Sequence, residues 1–133
     1  MGAWHQHQRT RLDLWPRGMI QHTLPWPPTV NTYWRNIKGR TIISERGRLY
    51  RLVVQKQLTG AEPMMGRLAI KIAAYPPDRR RRDLDNILKA LLDSLTFAHA
   101  IEDDSQFDFI SIARRDVVTD GAVQITITQL EQL

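Results

Sequence analysis

The stretch Tyr75–Leu95, YPPDRRRRDLDNILKALLDSL, constrains the chain more than any other. Pro76 and Pro77 end whatever regular element precedes them, because proline fixes φ and lacks an amide donor. Four consecutive arginines, Arg79–Arg82, come next, and Asp83 and Asp85 then stand two residues apart directly before an amphipathic run. In an extended segment side chains at i and i+2 share a side, so the two carboxylates project together. The spacing predicts a helix that starts at or just after Asp85, with Asp85 as its N-cap. At about 100° per residue, Ile87, Leu88, Leu91, Leu92 and Leu95 form one apolar stripe, while Asp85, Lys89 and Asp93 fall on the opposite flank. Lys89 is thereby displayed beside the aspartates, and packing does not need it.

A second acidic group, Glu102, Asp103 and Asp104, follows soon after the apolar run ends. If the chain folds back there, at least one of these carboxylates joins Asp83 and Asp85. Two carboxylates about 4 Å apart repel by roughly 4 kcal/mol at an effective dielectric of about 20, more than a cap or a helix dipole returns. Such a cluster calls for a cation, and three carboxylate oxygens with retained waters suit Mg²⁺ or Mn²⁺. A lysine beside that ion, among many arginines, points to chemistry on phosphodiesters. The same residues also admit a purely structural reading, in which the arginines are a solvated face, Asp85 only a cap and Glu102–Asp104 only a polar loop.

These residues also carry a family pattern. PPDRRRRDLDNILKALLDSL, followed by IEDDSQ at Ile101–Gln106 and preceded by TLPWPPTVNTYWR at Thr23–Arg35, resembles the RusA-type Holliday junction resolvases of bacteria and their phages. The likeness runs from about Ile20 to Leu130 and rests on three motifs in the family's order. It implies that paired catalytic aspartates fall on Asp83 and Asp85, a third metal-binding aspartate on Asp104 and an essential lysine on Lys89. Asn86 sits where the family's DLDN motif has its asparagine, beside the metal site and within reach of DNA. The resemblance further implies a small homodimer that uses Mg²⁺, or Mn²⁺ in its place, to nick two opposed strands of a four-way junction. That activity belongs to DNA recombination and repair, in the cytoplasm of a bacterial or phage-infected cell. Within the acidic triplet, spacing alone does not separate Asp103 from Asp104.

Length and composition fit one globular domain. The chain has 133 residues, 42% of them hydrophobic and 25% charged, enough for a single core. No apolar run is long enough to span a membrane, and none resembles a secretory signal. With no cysteine, disulfides and thiolate-bound zinc are excluded. The four histidines, His5, His7, His22 and His99, have no metal-ligand spacing. Of the formal charge of +5, residues 1–18 contribute Arg9, Arg11 and Arg17 against Asp13, a net +2, leaving +3 for the rest. The distribution matters more than the total. Arg35, Lys38, Arg40, Arg46, Arg48, Arg51 and Lys56 face a single nearby acid, Glu45, and with Arg79, Arg80, Arg81 and Arg82 they make two basic patches suited to a polyanion.

Along the chain, residues 1–18 lack periodicity and are expected to be a flexible extension that adds nonspecific DNA affinity, with the endonuclease domain over 19–133. Ile20–Leu24 alternates as a half-buried strand, ended by Pro25, Pro27 and Pro28, with Trp26 expected as a core aromatic. Asn31–Arg40 reads as a loop or short hairpin in which Tyr33 and Trp34 are placed to stack on bases while Arg35, Lys38 and Arg40 meet phosphates. Ser44 caps a helix through about Leu58, expected to turn Leu49, Leu52 and Val53 inward and Arg48, Arg51 and Lys56 outward. Arg67–Tyr75 is the clearest strand, Phe107–Asp116 another with a bulge near Phe109, and Val123–Ile127 a third after the Asp120-Gly121 turn. This order predicts an α+β domain, a small mixed β-sheet covered on one face by two helices.

Two competing functions stay open at this level. One is a nuclease for another branched DNA, such as a PD-(D/E)xK enzyme, although Lys89 lies four residues after Asp85 with no acid two before it. The other is a non-catalytic junction or DNA-binding module whose carboxylates only cap and tune the surface.

Overall fold

The computed structural model describes residues 18–60 and 62–130, so the expected extension over residues 1–18 lies, apart from Gly18, outside the described residues. Strand β1 (Met19–Leu24) is followed by the single turn α1 (Val30–Tyr33), the hairpin β2 (Trp34–Ile37) and β3 (Arg40–Ile43), and helix α2 (Glu45–Gln57). Strand β4 (Leu68–Tyr75), helix α3 (Leu88–Phe97), β5 (Phe107–Arg114) and β6 (Ala122–Gln129) complete the order. The main sheet runs β1-β6-β4-β5, with β4 and β5 parallel and the other pairs antiparallel. A parallel pair needs a crossover, and the segment from Pro76 through α3 supplies it.

Alternation decides which face of the sheet is covered. On β4, Leu68, Ile70, Ile72 and Ala74 are buried, and Val123, Ile125 and Ile127 on β6 join them in the same cluster. Ile87, Leu91, Leu92 and Leu95 of the α3 segment and Tyr50, Val54 and Leu58 of α2 close over that face, as the α+β expectation required. The other face stays polar and open around Lys71, Ser111, Gln124 and Thr126. The register shift opposite Leu68 and Ala69 skips Asp108, which is the bulge expected near Phe109. The tight connection into β6 uses positive φ at Asp120 and Gly121. A Cβ on Gly121 would come within 2.9 Å of Trp26 and 3.0 Å of Pro77, so glycine is required there for close approach as well as for φ.

Helix α2 departs from expectation. Ser44 is its N-cap and accepts from the Gly47 amide at 3.0 Å, but Leu49, Leu52 and Val53 are exposed, at 56%, 52% and 42%. The inward face is instead Gly47, Tyr50, Val54 and Leu58. Two contacts set this rotation. A Cβ on Gly47 would lie 2.8 Å from the Tyr33 carbonyl oxygen, so the helix approaches α1 where only glycine fits. Arg51, expected outward, turns in to donate to Asp93 of α3 through Nη2 at 2.6 Å and Nε at 3.0 Å. A charge pair across two helices therefore overrides an apolar stripe that pointed the other way.

Candidate active site

The crossover after β4 begins with a self-bracing loop. Asp78 accepts from the Arg80 amide at 2.9 Å and from Arg82 Nη1 at 2.6 Å, and the Arg82 guanidinium lies over the Trp26 ring, 6.0 Å from its centroid. Arg114 on β5 donates to the Arg82 carbonyl oxygen at 2.8 Å. The peptide just before Asp83 is thus held from the sheet side and the loop side. Hydrogen bonds from Arg82 and the Arg80 amide hold the Asp78 carboxyl down at about 2, well below its ordinary value.

Asp83 is extended (φ −89°, ψ 133°) and stands at the N-cap position of a 3₁₀ turn over Leu84–Ile87, without a side-chain capping bond. The α-helical geometry begins only at Leu88. Asp85 is therefore inside the first turn and not an N-cap, and its carboxylate is exposed. Leu84 and Ile87 turn into the core while Asp83 and Asp85 are exposed; the extended geometry that the spacing assumed stops at Asp83, because the 3₁₀ turn begins at Leu84. Among the described residues, neither carboxylate has a hydrogen-bond or ion-pair partner. Lys89, one turn on, is also exposed. Asp83 and Asn86 line a cleft of about 320 Å³ with Thr29, Arg81 and Arg82.

The acidic triplet is divided by its backbone. Asp103 caps a second 3₁₀ turn (Asp104–Gln106), its carboxylate accepting from the Ser105 amide at 2.9 Å while Gln106 Oε1 accepts from the Glu102 and Asp103 amides. Gln106 also donates to the Met64 and Gly66 carbonyl oxygens, which fixes this turn beside the start of β4. The bonds from Ser105 hold the Asp103 carboxyl below its ordinary value, with a smaller pull from Lys89. Asp104 is half-buried and has no such bond among the described residues. Capping thus separates two neighbours that spacing alone left equivalent.

Among the described residues, no three His, Asp or Glu side chains lie close enough to hold a metal ion. Because β4 and β5 are parallel, Asp83 follows the exit of one strand and Asp104 precedes the entrance of the other. Fold-back after α3 brings the acidic turn near Lys89 but toward the opposite end of the strand pair from Arg82. The donor set itself fits a hard divalent cation, being carboxylate oxygens that no cation among the described residues occupies.

The remaining candidates divide in the same way. Arg79, Arg80 and Arg81 are exposed, whereas Arg82 is 20% exposed and tied to Asp78. Arg35, Lys38 and Arg40 lie exposed on the β2–β3 hairpin. Trp34 is half-buried, but Tyr33 is fully buried, so it does not stack on bases. Its hydroxyl donates to Asp93 and accepts from Arg51 Nε at 2.8 Å, and burial together with the Asp93 contact pushes its pKa up to about 12. Trp26 is half-buried at the core edge. Arg114 and Arg115 were missed, since a strand-end pair far along the sequence gives no sign that it joins the Arg79–Arg82 cavity.

Comparison with known proteins decides the lineage. The family model described as Endodeoxyribonuclease RusA matches residues 25–128. The chain belongs to the RusA endodeoxyribonuclease family. A RusA relative from Enterobacteria phage HK97, named crossover junction endodeoxyribonuclease, is 49% identical over 116 residues, covering 85% of this chain and 97% of the relative. RusA proteins of the same name from Enterobacteria phage 82 and from Escherichia coli strain K12 are 41% and 40% identical over 111 residues, 81% of this chain and 92% of each relative. The RusA match includes the braced arginine loop, the 3₁₀ turn with Asp83 and Asp85, and the acidic turn before β5. Among the described residues, no helix is long and apolar enough to cross a membrane.

Proposed function

We propose that this chain is a crossover junction endodeoxyribonuclease that resolves four-way DNA junctions, using Mg²⁺ with Mn²⁺ as a substitute. The observation that carries this reading is the exposed pair Asp83 and Asp85, without a partner among the described residues in a loop otherwise braced by internal ion pairs, in a chain of the RusA family. Asp83, Asp85 and Asp104 would hold the divalent ion. When bound, that ion supplies an activated water and charge stabilisation at the scissile phosphate. Lys89 offsets negative charge developing on the phosphate oxygens. Arg79, Arg80, Arg81, Arg35, Lys38 and Arg40 hold DNA backbones as exposed cations, and Asn86 lines the cleft beside Asp83. Arg82 contributes by holding the loop.

The enzyme acts as a homodimer in the cytoplasm of a bacterial or phage-infected cell. A two-fold pair supplies two equivalent sites for two equivalent strands. In such a pair, Asp104 of either chain is available as the third carboxylate.

The test is a labelled four-way junction and a linear duplex, each with Mg²⁺ or EDTA, beside Asp85→Asn. Paired symmetric nicks in the junction alone, dependent on metal and Asp85, are expected; junction binding without metal-dependent nicking would reduce the protein to a binding module. Mixing Asp85→Asn with Asp104→Asn separates the two sources of the third carboxylate. Regained nicking at one strand means that the partner contributes Asp104, and none means that each chain supplies its own.

A further inference from the structure

A groove of about 530 Å³ lies between the proline segment after β1 and the outer face of α2. Trp26 and Pro27 form one wall, and Leu49 and Val53 the other. That second wall is the apolar face of α2 left exposed when Arg51 turns inward, with Leu49 56% and Val53 42% exposed. Tyr50 fastens the walls together by donating to the Pro25 carbonyl oxygen at 2.8 Å. Arg46 and Arg80 stand on the rim, and Arg82 closes the end against Trp26.

An apolar slot with a cationic rim has the chemistry of a nucleotide, whose base is flat and apolar on its faces and whose phosphate is anionic. The position selects DNA over other occupants with that chemistry. Arg82 and Thr29 line this groove and also the cleft that contains Asp83 and Asn86, so the two are contiguous. A strand with its phosphate at Asp83 therefore has its neighbouring nucleotide at the groove mouth. Bases at the branch of a junction lack continuous stacking, so withdrawing one costs less there than within a duplex.

We infer that the groove between Trp26 and the Leu49/Val53 face of α2 takes one unstacked nucleobase of the DNA strand lying at Asp83, with Arg46 and Arg80 on its flanking phosphate. This rests on the nuclease reading and adds a base-binding subsite beside it. Such a subsite makes junction binding depend on the presence of a base at that position.

The test uses full-length protein and four-way junctions carrying a single abasic nucleotide at successive positions around the branch, measured for binding in EDTA and for nicking in Mg²⁺. Wild type is expected to bind about tenfold more weakly when one particular position is abasic, the scale of one base–aromatic stack. The double variant Leu49→Glu/Val53→Glu is expected to bind intact and abasic junctions within about twofold of each other, as is Arg46→Ala combined with Val53→Glu. Both alter exposed side chains, and circular dichroism verifies folding. The inference is overturned if no abasic position matters to wild type, or if the groove variants keep the full abasic penalty. Because the binding arm contains no metal, it stands even if nicking of the intact junction fails and the nuclease reading falls.

Discussion

Asp85, Lys89 and Asp93 lie along one stripe of the helical segment, four residues apart, and its two ends are used differently. At Asp93 the carboxylate accepts from both Arg51 and Tyr33, ties α3 to α2 and α1, and is only 24% exposed. At Asp85 and Lys89 the side chains are exposed, and Asp85 has no partner among the described residues. The acidic turn repeats the contrast over two adjacent residues, with Asp103 used as a cap and Asp104 left without one. A carboxylate satisfied inside the protein contributes to stability, whereas one held out by a braced backbone is available to an external cation.

The largest effect expected from this contrast is on nicking. Asp104→Asn should slow junction cleavage on the order of a thousandfold, the worth of several kcal/mol of charge stabilisation, while Asp103→Asn should slow it only a few-fold. Single-turnover cleavage rates check this, and equal losses would erase the distinction drawn from the cap. Next in size is stability. Asp93→Asn leaves Arg51 and the Tyr33 hydroxyl short of a partner in a half-buried setting, at a cost of about 2 kcal/mol. Asp85→Asn should change stability by less than about 0.5 kcal/mol, since it removes no bond among the described residues. Urea unfolding of the pair decides, and the comparison breaks if Asp85→Asn is the more destabilised.

The smallest effect is in acid. The Asp78 carboxyl sits at about 2 in the folded protein, below its value in the unfolded chain, so the folded state binds fewer protons. Its contribution is present above the unfolded value near pH 4 and is lost as pH falls toward about 2. Asp78→Asn should therefore flatten the dependence of the urea midpoint on pH within that window and leave it unchanged above pH 5. An unaltered acid limb would mean that the Asp78–Arg82 brace adds nothing to the fold.

Much of this arrangement was legible in the sequence. Strict alternation placed β4 and β6, the Asp-Gly pair placed their turn, and the five apolar positions from Ile87 to Leu95 all face the core. The rest depended on partners distant in sequence. Arg51 and Asp93 are forty-two residues apart, and that pair rotates α2 away from its apparent apolar face. Tyr33 looked like an exposed aromatic until the Gly47 approach and the Asp93 contact drew it in. Asp85 looked like a cap because an N-cap is recognised by residue type, whereas the 3₁₀ turn shifts the helix start to Leu88. That Asp83 follows the exit of β4 while Asp104 precedes the entrance of β5 depends on strand direction, which local periodicity does not encode.

The central claim is that the carboxylates without internal partners are the ones that bind metal. Its most direct test is Mn²⁺ binding, followed by electron paramagnetic resonance, for wild type and for the single variants Asp85→Asn, Asp104→Asn, Asp93→Asn and Asp103→Asn. Wild type, Asp93→Asn and Asp103→Asn should bind Mn²⁺ alike, and Asp85→Asn and Asp104→Asn should lose it. Retention of wild-type Mn²⁺ affinity by Asp85→Asn and Asp104→Asn would contradict the account.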